Sequence, residues 1–242
     1  MLKFLKNIMN NEEVNLTNDA YSLHRILKTE IKKNRNVEED EIIFGCGCFW
    51  GAEKCFWKLP GVVTTSVGYA GGEKSNPTYY EVCSGLTGHS EVVRVIWDKR
   101  EINISDLLKM FWECHDPTQK NRQGNDVGTQ YRLAIYYVNE NNLKIILASK
   151  EQYQKELNKK NLGLIETEIK IIDTYFYAEQ YHQQYLASAG SRQYCSASPT
   201  NVKLGVFTGS DYKLKDYVWE NFNWEVDKCV LRSDNNPIKN NI

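Results

Sequence analysis

The sequence predicts an α+β fold, a two-layer α/β sandwich with a ferredoxin-like core and a long irregular C-terminal tail. Between residues 41 and 172, strand-like and helix-like segments alternate in the order βαβ–βαβ–αβ, which is typical of split βαβ units. Residues 191–242 show neither the alternating pattern of a strand nor the helical spacing of apolar residues. They are nevertheless too aromatic for a disordered tail, with Tyr217, Trp219, Phe222 and Trp224. We therefore expect the tail to wrap around the core and to become flexible after about Asn235.

Length and composition exclude several classes of function. The 242 residues are enough for one large domain or two small ones. Thirty basic and 31 acidic side chains give a net charge of −1, so the chain has no electrostatic footprint for nucleic acid or for an anionic membrane. No stretch approaches the roughly 18 apolar residues of a membrane-spanning helix. A monomer without nucleic-acid or membrane partners is expected.

Residues 1–40 are predicted to be an N-terminal extension. Four apolar residues in it follow helical spacing and predict a short amphipathic helix: Leu23, Ile26, Leu27 and Ile31. No clear secretory signal opens the chain, so a reducing, cytoplasmic location is the default. Mitochondrial targeting is the alternative, but Glu12, Glu13 and the absence of arginine before Arg25 argue against it.

Residues 41–190 are predicted to form the main domain, and residues 191–242 its tail. Strands are expected at 41–44, 62–69, 91–97, 131–138 and 167–172, and helices at 50–59, 78–83, 104–112 and up to about 160. Pro60 and Gly61 end the first helix, and Asn103 is well placed as the N-cap of the third. Strand 91–97 is apolar on both faces and is expected to be buried.

The densest chemical signal is the run from Phe44 to Gly51, FGCGCFWG. A strand ends there, glycines make the turn and a helix begins, which puts Cys48 close to a helix N-terminus. The free N–H groups and the helix dipole at such a position lower a cysteine pKa and favour a nucleophilic thiolate. Phe49 and Trp50 would form an apolar wall beside it. The alternative is a buried structural cysteine between two core aromatics.

Cys46 is expected to be a core residue. Geometry disfavours a disulfide within Cys-x-Cys, and in an extended segment the two side chains point to opposite faces. Cys48 is therefore the better candidate for the nucleophile.

Three further segments carry polar candidates. Glu91 begins an apolar strand, where a raised pKa would suit a general acid, although a surface carboxylate is the simpler interpretation. The polar turn 123–132 could aim Asp126 and Tyr131 inward. The last of the three, residues 177–186, is rich in tyrosine, which is often only an amphipathic residue at the edge of a core.

Together these motifs resemble the A-type peptide methionine sulfoxide reductases. The run 47–51 looks like the signature of that family. The other matching runs follow in the family's order at 67–72, 76–91, 115–117, 123–132 and 182–186. The resemblance covers residues 41–195. It implies reduction of methionine S-sulfoxide, peptide-bound and also free, by a family in which each enzyme type serves one sulfoxide epimer.

The resemblance also implies a role for each matching residue. Cys48 matches the nucleophile, and Phe49 and Trp50 match the residues that hold the substrate methyl group. Glu91 matches the acid that protonates the sulfoxide oxygen. The polar residues around that oxygen and around Cys48 are matched by Tyr79, Asp126, Tyr131 and Tyr185.

The resemblance also implies that a cysteine in the tail returns Cys48 to its reduced form after each reaction. Cys195 lies where the family has a recycling cysteine, and it would resolve the sulfenic acid formed on Cys48 as a disulfide. Thioredoxin or another dithiol such as DTT would then reduce that disulfide, and no metal, nucleotide or flavin is required. Many family members carry two neighbouring recycling cysteines, whereas the next one here is Cys229. Cys229 could take over the disulfide or could be inert. Packing roles are expected for Cys55, Cys83 and Cys114.

Two alternative functions remain open from the residues alone. Cys48 with His89 and a carboxylate could form a cysteine hydrolase or acyltransferase. A structural zinc site or a redox sensor is the other alternative. Zinc is disfavoured because the chain lacks paired C-x-x-C units and any H-x₃₋₅-H spacing.

Overall fold

A mixed six-stranded sheet is the framework of the computed structural model, which describes residues 22–226 and 229–239. The strands are β1 (Glu39–Cys46), β2 (Val62–Ala70), β3 (Ser90–Asp98), β4 (Arg122–Gln123), β5 (Asp126–Val127), β6 (Leu133–Tyr137), β7 (Glu168–Ile171) and β8 (Tyr175–Tyr177). Six of them form one sheet in the order β7-β6-β1-β3-β2-β8, and β4 and β5 form a separate small hairpin.

The helices lie between the strands and in the tail. They are α1 (Phe49–Trp57), α2 (Tyr79–Cys83), α3 (Ile104–Glu113), α4 (Leu143–Lys159), α5 (Asp216–Trp219) and α6 (Cys229–Arg232). The short helix α2 begins with a capping box. The Thr78 hydroxyl accepts the backbone N–H of Glu81, and the Glu81 carboxylate accepts that of Thr78. The four predicted helices of the main domain are confirmed.

The four central strands confirm the ferredoxin-like core. Strand β1 pairs with β3 and with β6, β2 pairs with β3, and all three pairings are antiparallel. The two crossovers run through α1 and α3, so the order β6-β1-β3-β2 is that of a split βαβ repeat. Strand β7 extends one edge in parallel to β6, and β8 extends the other edge antiparallel to β2.

A stack of aromatic rings ties the sheet to its helices. The Phe44 ring on β1 stacks on Phe56 of α1, with centroids 4.8 Å apart, and on Phe111 of α3, with centroids 5.0 Å apart. All three residues are fully buried. Because Phe44 lies four residues before Cys48, this stack fixes the strand end from which the site is built.

The prediction of a helix at the start of the chain is wrong for residues 22–31. This segment is a turn closed by an antiparallel bridge between Leu23 and Glu30. The His24 ring accepts the backbone N–H groups of Ile26 and Leu27, and Lys28 has a left-handed φ of 61°. These local hydrogen bonds compete with helical ones, and helical spacing of apolar residues does not reveal them.

The tail wraps the core, as predicted, and hydrogen bonds join it to α1 as far as Ile238. The flexibility expected after about Asn235 stays a prediction. The Asn235 carbonyl accepts the indole N–H of Trp57, and the N–H of Ile238 donates to the Lys58 carbonyl. Asn235 and Ile238 therefore lie beside the C-terminal end of α1. In the part of the chain that the structure describes, no helix is both long and apolar enough to span a bilayer.

Candidate active site

Cys48 lies where β1 ends and α1 begins. It is the N-cap residue of α1, and its side chain is only partly buried. Gly47 before it has a φ of 86°, and a Cβ at this position would approach Gln123 Cβ to 2.4 Å. Only glycine fits this turn, so the sequence places the cysteine at the helix start as predicted.

The residues singled out from separate parts of the sequence meet in one pocket around Cys48. They come from α1, α2, β3, β5, the turn before β6, and the tail. The lining residues are Cys48, Phe49, Trp50, Tyr79, Glu91, Asp126, Tyr131 and Tyr194. All but Tyr194 were predicted as site residues. Tyr194 escaped sequence reasoning because one more tyrosine in an aromatic tail carries no distinguishing signal.

Glu91 combines burial with a favourable hydrogen bond. Its side chain is 1% exposed, and one carboxyl oxygen accepts the backbone N–H of Phe49 at 3.1 Å. Burial raises the pKa of Glu91 to about 8, with a smaller contribution from Asp126, against the opposing effect of the Phe49 N–H. The direction agrees with the raised pKa predicted from the strand edge, and a pKa of about 8 favours the protonated carboxyl at neutral pH.

The predicted lowering of the Cys48 pKa is wrong for the resting site. Burial raises the pKa of the Cys48 thiol well above its usual range, and the charges of Glu91 and Asp126 raise it further. The backbone N–H of Trp50 acts in the opposite direction. The helix N-terminus is present, but its effect is smaller than desolvation. The resting site therefore holds a protonated cysteine beside a protonated carboxyl.

Trp50 is fixed from two sides. Its indole N–H donates to His182 Nδ1 at 3.1 Å, and its ring stacks on Tyr185 with centroids 3.9 Å apart. Burial lowers the pKa of His182 to about 3, so this imidazole is neutral and can accept. Tyr185 lies behind Trp50 rather than in the pocket lining, so it supports the wall instead of touching the pocket. His182 was known from the sequence only as the first residue of a matching run.

The hydroxyl groups of the pocket are donors. Burial raises the pKa of Tyr79 and of Tyr131, and the charge of Glu91 raises both further. The Tyr194 hydroxyl donates to Asp126 at 2.7 Å. Glu179 accepts the backbone N–H of Tyr79 at 2.8 Å and thereby anchors helix α2 at the pocket. A substrate oxygen in the pocket would meet protonated phenols and a protonated carboxyl.

Behind Cys48 lies a second space, the thiol cavity, of about 20 Å³, room for about one water molecule. Cys195 is buried there, and a Cβ on Gly51 would lie 2.6 Å from its sulfur. The cavity is lined by Cys46, Cys48, Cys55, Cys114, Cys195, Gly51, Ala52, Ala197, Pro199, Trp224, Val226 and Val230. Cys48 therefore faces the substrate pocket on one side and the predicted resolving cysteine on the other.

The other cysteines separate by environment. Cys46, Cys55 and Cys114 are buried, as expected of packing residues, and Cys83 is partly buried. Cys46, Cys114 and His115 bring one potential metal-ligand atom each within 4.8 Å of one another. Burial lowers the pKa of His115 to about 4. The side chain of Cys229 lies outside the described residues.

His89 does not serve Cys48. Its ring accepts the backbone N–H of Gly72 at 3.1 Å and contacts the Lys74 carbonyl at 2.8 Å, so both ring nitrogens bind the backbone of the 72–74 turn. It is not among the residues that line the pocket. The hydrolase alternative requires a histidine base beside the cysteine and is not favoured by this geometry.

Comparison with known proteins points to one family. Residues 40–211 match the family model described as peptide methionine sulfoxide reductase. A Vibrio vulnificus protein named peptide methionine sulfoxide reductase MsrA is 53% identical over 180 residues, which are 74% of this chain and 86% of that protein. The human mitochondrial peptide methionine sulfoxide reductase is 51% identical over 184 residues, which are 74% of this chain and 78% of that protein.

The fold agrees with that of a solved relative. The structure of methionine sulfoxide reductase A of Corynebacterium diphtheriae superposes with a TM-score of 0.64 at 42% sequence identity. The match covers 76% of this chain and 88% of that one.

Proposed function

This chain belongs to the peptide methionine sulfoxide reductase family and reduces methionine sulfoxide to methionine, and we propose that the Cys48 pocket performs this reaction on the S epimer. The observation that carries the proposal is a shared pocket. A cysteine sulfur, a carboxyl with a pKa of about 8 and the apolar rings of Phe49 and Trp50 line it together. A sulfoxide offers an electrophilic sulfur, a basic oxygen and an apolar methyl group, and the pocket has a partner for each.

The chemical step follows from these partners. Glu91 donates its proton to the sulfoxide oxygen, which makes the sulfur more electrophilic, and Cys48 Sγ attacks that sulfur as it loses its own proton. The S–O bond of the substrate breaks and its oxygen passes as a hydroxyl group to Cys48 Sγ, while the proton that Cys48 lost returns to the Glu91 carboxylate. The substrate sulfur gains two electrons, the Cys48 sulfur loses two, and Cys48 becomes a sulfenic acid. The Glu91 proton reaches the sulfoxide oxygen as the Cys48 thiolate forms. The thiolate therefore need not be present in the resting site, and the raised pKa of the resting thiol is compatible with attack.

Substrate selection is assigned to the walls of the pocket. Phe49 and Trp50 would contact the methyl group, and the hydroxyls of Tyr79 and Tyr131 would donate to the sulfoxide oxygen. Asp126 holds the Tyr194 hydroxyl at 2.7 Å, which orients the side of the pocket next to the tail. Both peptide-bound and free methionine sulfoxide present these groups.

Recycling is assigned to Cys195. Its thiol would attack the Cys48 sulfenic acid, releasing water and leaving a Cys48–Cys195 disulfide. Thioredoxin, or DTT in its place, would reduce the disulfide by exchange, which requires a reducing compartment such as the cytoplasm. No step needs a metal, a nucleotide or a flavin. A variant with Cys195→Ala should form methionine once and then fail to cycle with thioredoxin.

Cys229 is proposed as a second recycling cysteine. Helix α6, which contains it, packs against α1, and its neighbour Val230 lines the thiol cavity beside Cys195. If Cys229 takes over the disulfide, Cys229→Ser should slow turnover with thioredoxin but leave the first disulfide intact. Unchanged turnover would make Cys229 inert.

A single-turnover assay tests the function. Reduced protein is mixed with an excess of each separated epimer of a blocked methionine sulfoxide, without added reductant, and methionine and thiols are counted. We expect about one methionine per chain from the S epimer only, with loss of one thiol pair. Product from neither epimer, with all thiols intact, would contradict the assignment. The activity of the protein on hydrolase substrates and its metal content would then be measured.

A further inference from the structure

A chain of buried hydrogen bonds joins the N-terminal segment to the wall of the substrate pocket. It contains His24, Thr65, Glu53 and Gln184, and we call it the Glu53 network. His24 lies before residue 40, where the family match begins. None of these side chains lines the substrate pocket, and all four residues are at most 1% exposed.

Glu53 is the centre of the network. It lies one helical turn after Trp50 on α1. One carboxyl oxygen accepts the backbone N–H of Gln184 at 2.8 Å, and the other accepts the Gln184 side-chain amide at 2.8 Å and the Thr65 hydroxyl at 2.9 Å. Burial raises the pKa of Glu53 to about 7, while these donors favour the charged form. The two oxygens of a carboxylate offer enough lone pairs to accept all three donors.

Gln184 is held in an unusual backbone conformation. Its φ and ψ are 46° and 45°, in the left-handed region that non-glycine residues rarely occupy. Glu53 binds both its backbone N–H and its side-chain amide, and the Gln184 side-chain oxygen accepts the backbone N–H of Arg25 at 3.2 Å. A conformation of this kind persists only where its surroundings fix it.

The residue after Gln184 is Tyr185, whose ring stacks on Trp50. The direction in which the chain leaves Gln184 therefore sets the position of the Tyr185 ring. Because Trp50 lines the substrate pocket and Tyr185 is directly behind it, a shift of Tyr185 would loosen that wall.

The far end of the network reaches the N-terminal segment. The Thr65 hydroxyl donates to Glu53, so its oxygen accepts from His24 Nε2 at 2.8 Å. His24 Nδ1 accepts the backbone N–H groups of Ile26 and Leu27, which requires the proton on Nε2. Burial lowers the pKa of His24 to about 3, in agreement with this neutral form. One arrangement of protons therefore satisfies every bond from His24 to Gln184.

We propose that Glu53 is a positioning residue for the methyl-binding wall, that Thr65 and His24 orient it, and that the segment 22–31 is thereby part of the substrate-binding apparatus. This inference rests on the proposed function, because it takes Trp50 as the wall that receives the methyl group. It assigns Glu53 no contact with the substrate. When Glu53 is changed, we expect the enzyme to bind the sulfoxide more weakly and to distinguish less well between a methyl and a larger group on its sulfur. The rate of the chemical step should change little.

The test uses two substrates, blocked methionine S-sulfoxide and its ethyl homologue, in single turnovers of the full chain. For Glu53→Gln we expect half-saturation at a roughly tenfold higher concentration, the size of effect that follows when a buried donor loses its acceptor. The rate at saturation should change less than threefold, and the preference for methyl over ethyl should fall by a similar tenfold factor. Glu53→Asp, which keeps the charge, should recover part of the preference.

Thr65→Val removes two bonds of the network without removing the carboxylate, and it keeps the test usable if Glu53→Gln does not fold. The matched control is Thr64→Val, the same substitution at the preceding buried residue, whose hydroxyl has no hydrogen-bond partner among the described residues. Thr65→Val should shift half-saturation and the preference in the direction of Glu53→Gln, and Thr64→Val should not.

The outcomes separate the two proposals. If the unaltered chain yields no methionine, the proposed function fails. If it is active but Glu53→Gln and Thr65→Val keep the normal half-saturation and preference, or lower only the saturated rate, the positioning role is overturned. His24→Ala tests the N-terminal end in the same assay. If this variant keeps the normal preference for the methyl over the ethyl sulfoxide, segment 22–31 has no role in substrate binding, and the positioning role is limited to Glu53 and Thr65.

Discussion

Among single residues, Glu91 shows best how the fold creates chemistry that its sequence only suggests. A glutamate at the start of an apolar strand is buried by α1 and held by the Phe49 N–H, and its pKa rises to about 8. An acid with this pKa retains its proton at neutral pH and can still release it to a sulfoxide oxygen.

This pKa predicts the pH dependence of the first turnover. The protonated carboxyl is the active form, so the rate should be constant below the pKa and should fall as the pH rises through about 8. Glu91→Gln should slow the step by about 10²- to 10⁴-fold and abolish that fall. Stopped-flow single turnovers between neutral and alkaline pH measure both effects. A rate within twofold of normal in the variant would make Glu91 a structural residue.

Cys48→Ser removes the attacking sulfur and keeps the shape of the helix start. We expect no methionine even in a single turnover, because a serine hydroxyl cannot form the sulfenic acid. The measurement is methionine formed per chain, with Cys83→Ser, which changes a cysteine outside the pocket lining, as control. Methionine production by the serine variant would remove the central role of Cys48.

Most residues that line the pocket were recoverable from the sequence because several motifs pointed to one family, whereas the electrostatics of Cys48 were not. The helix N-terminus predicted a lowered Cys48 pKa. Desolvation and two nearby carboxyl groups reverse the sign, and neither can be read from residues that are distant in sequence. Tyr194 and His182 were missed for the same reason, since their importance comes from contacts across the fold.

At the scale of elements, α1 connects the pockets assigned to the two halves of the proposed catalytic cycle. Its first residues, Phe49 and Trp50, line the substrate pocket, and Gly51 and Ala52 line the thiol cavity. Helix geometry alone would tolerate alanine at Gly51. The reason for glycine there is the Cys195 sulfur, which would lie 2.6 Å from an added Cβ.

Gly51→Ala should therefore separate reduction from resolution. The first methionine should form at a rate close to normal, while formation of the disulfide should slow at least about tenfold because Cys195 is displaced. Methionine and free thiols are followed in the same quenched samples. Equal rates of methionine formation and thiol loss would show that Cys195 can move aside without consequence.

The regular elements were predicted where a period is long enough to detect. The helical stripe of α3 and the two-sided apolar pattern of β3 identified both elements. The strand β8 spans only Tyr175–Tyr177 and could not be recognised by alternation. The segment 22–31 had helical spacing, but the hydrogen bonds of His24 gave it another conformation.

At the scale of the whole molecule, the tail provides hydrogen-bond acceptors for two buried lysine ammonium groups. Lys54 and Lys58 on α1 are 1% and 4% exposed. The Lys54 ammonium donates to the Ser233 carbonyl at 2.8 Å, and Lys58 donates to the carbonyls of Asp234 and Asn236 at 3.1 and 3.0 Å. Neutral carbonyls therefore complete the solvation of both charges, and the tail stabilises α1.

Ending the chain after Val226 should lower the free energy of unfolding by about 1–3 kcal/mol, the usual cost of buried donors that lose their partners. Denaturant unfolding compares this chain with the full one. Asp234→Asn is the control. It removes an ion pair to Lys58 whose aspartate side chain is 70% exposed, and it should change stability by less than about 0.5 kcal/mol. Equal stability of the shortened and full chains would contradict the stabilising role.

The position of Cys195 has a consequence during protein synthesis. The nucleophile, the acid and most of the pocket precede residue 140, whereas Tyr194, Cys195 and the residues that enclose the thiol cavity come late in the chain. A ribosome makes these parts in that order, from the N-terminus onward. A nascent chain thus acquires the proposed nucleophile before the proposed resolving cysteine, and an oxidant that reaches Cys48 in that interval meets no thiol from the tail that could form a disulfide with it.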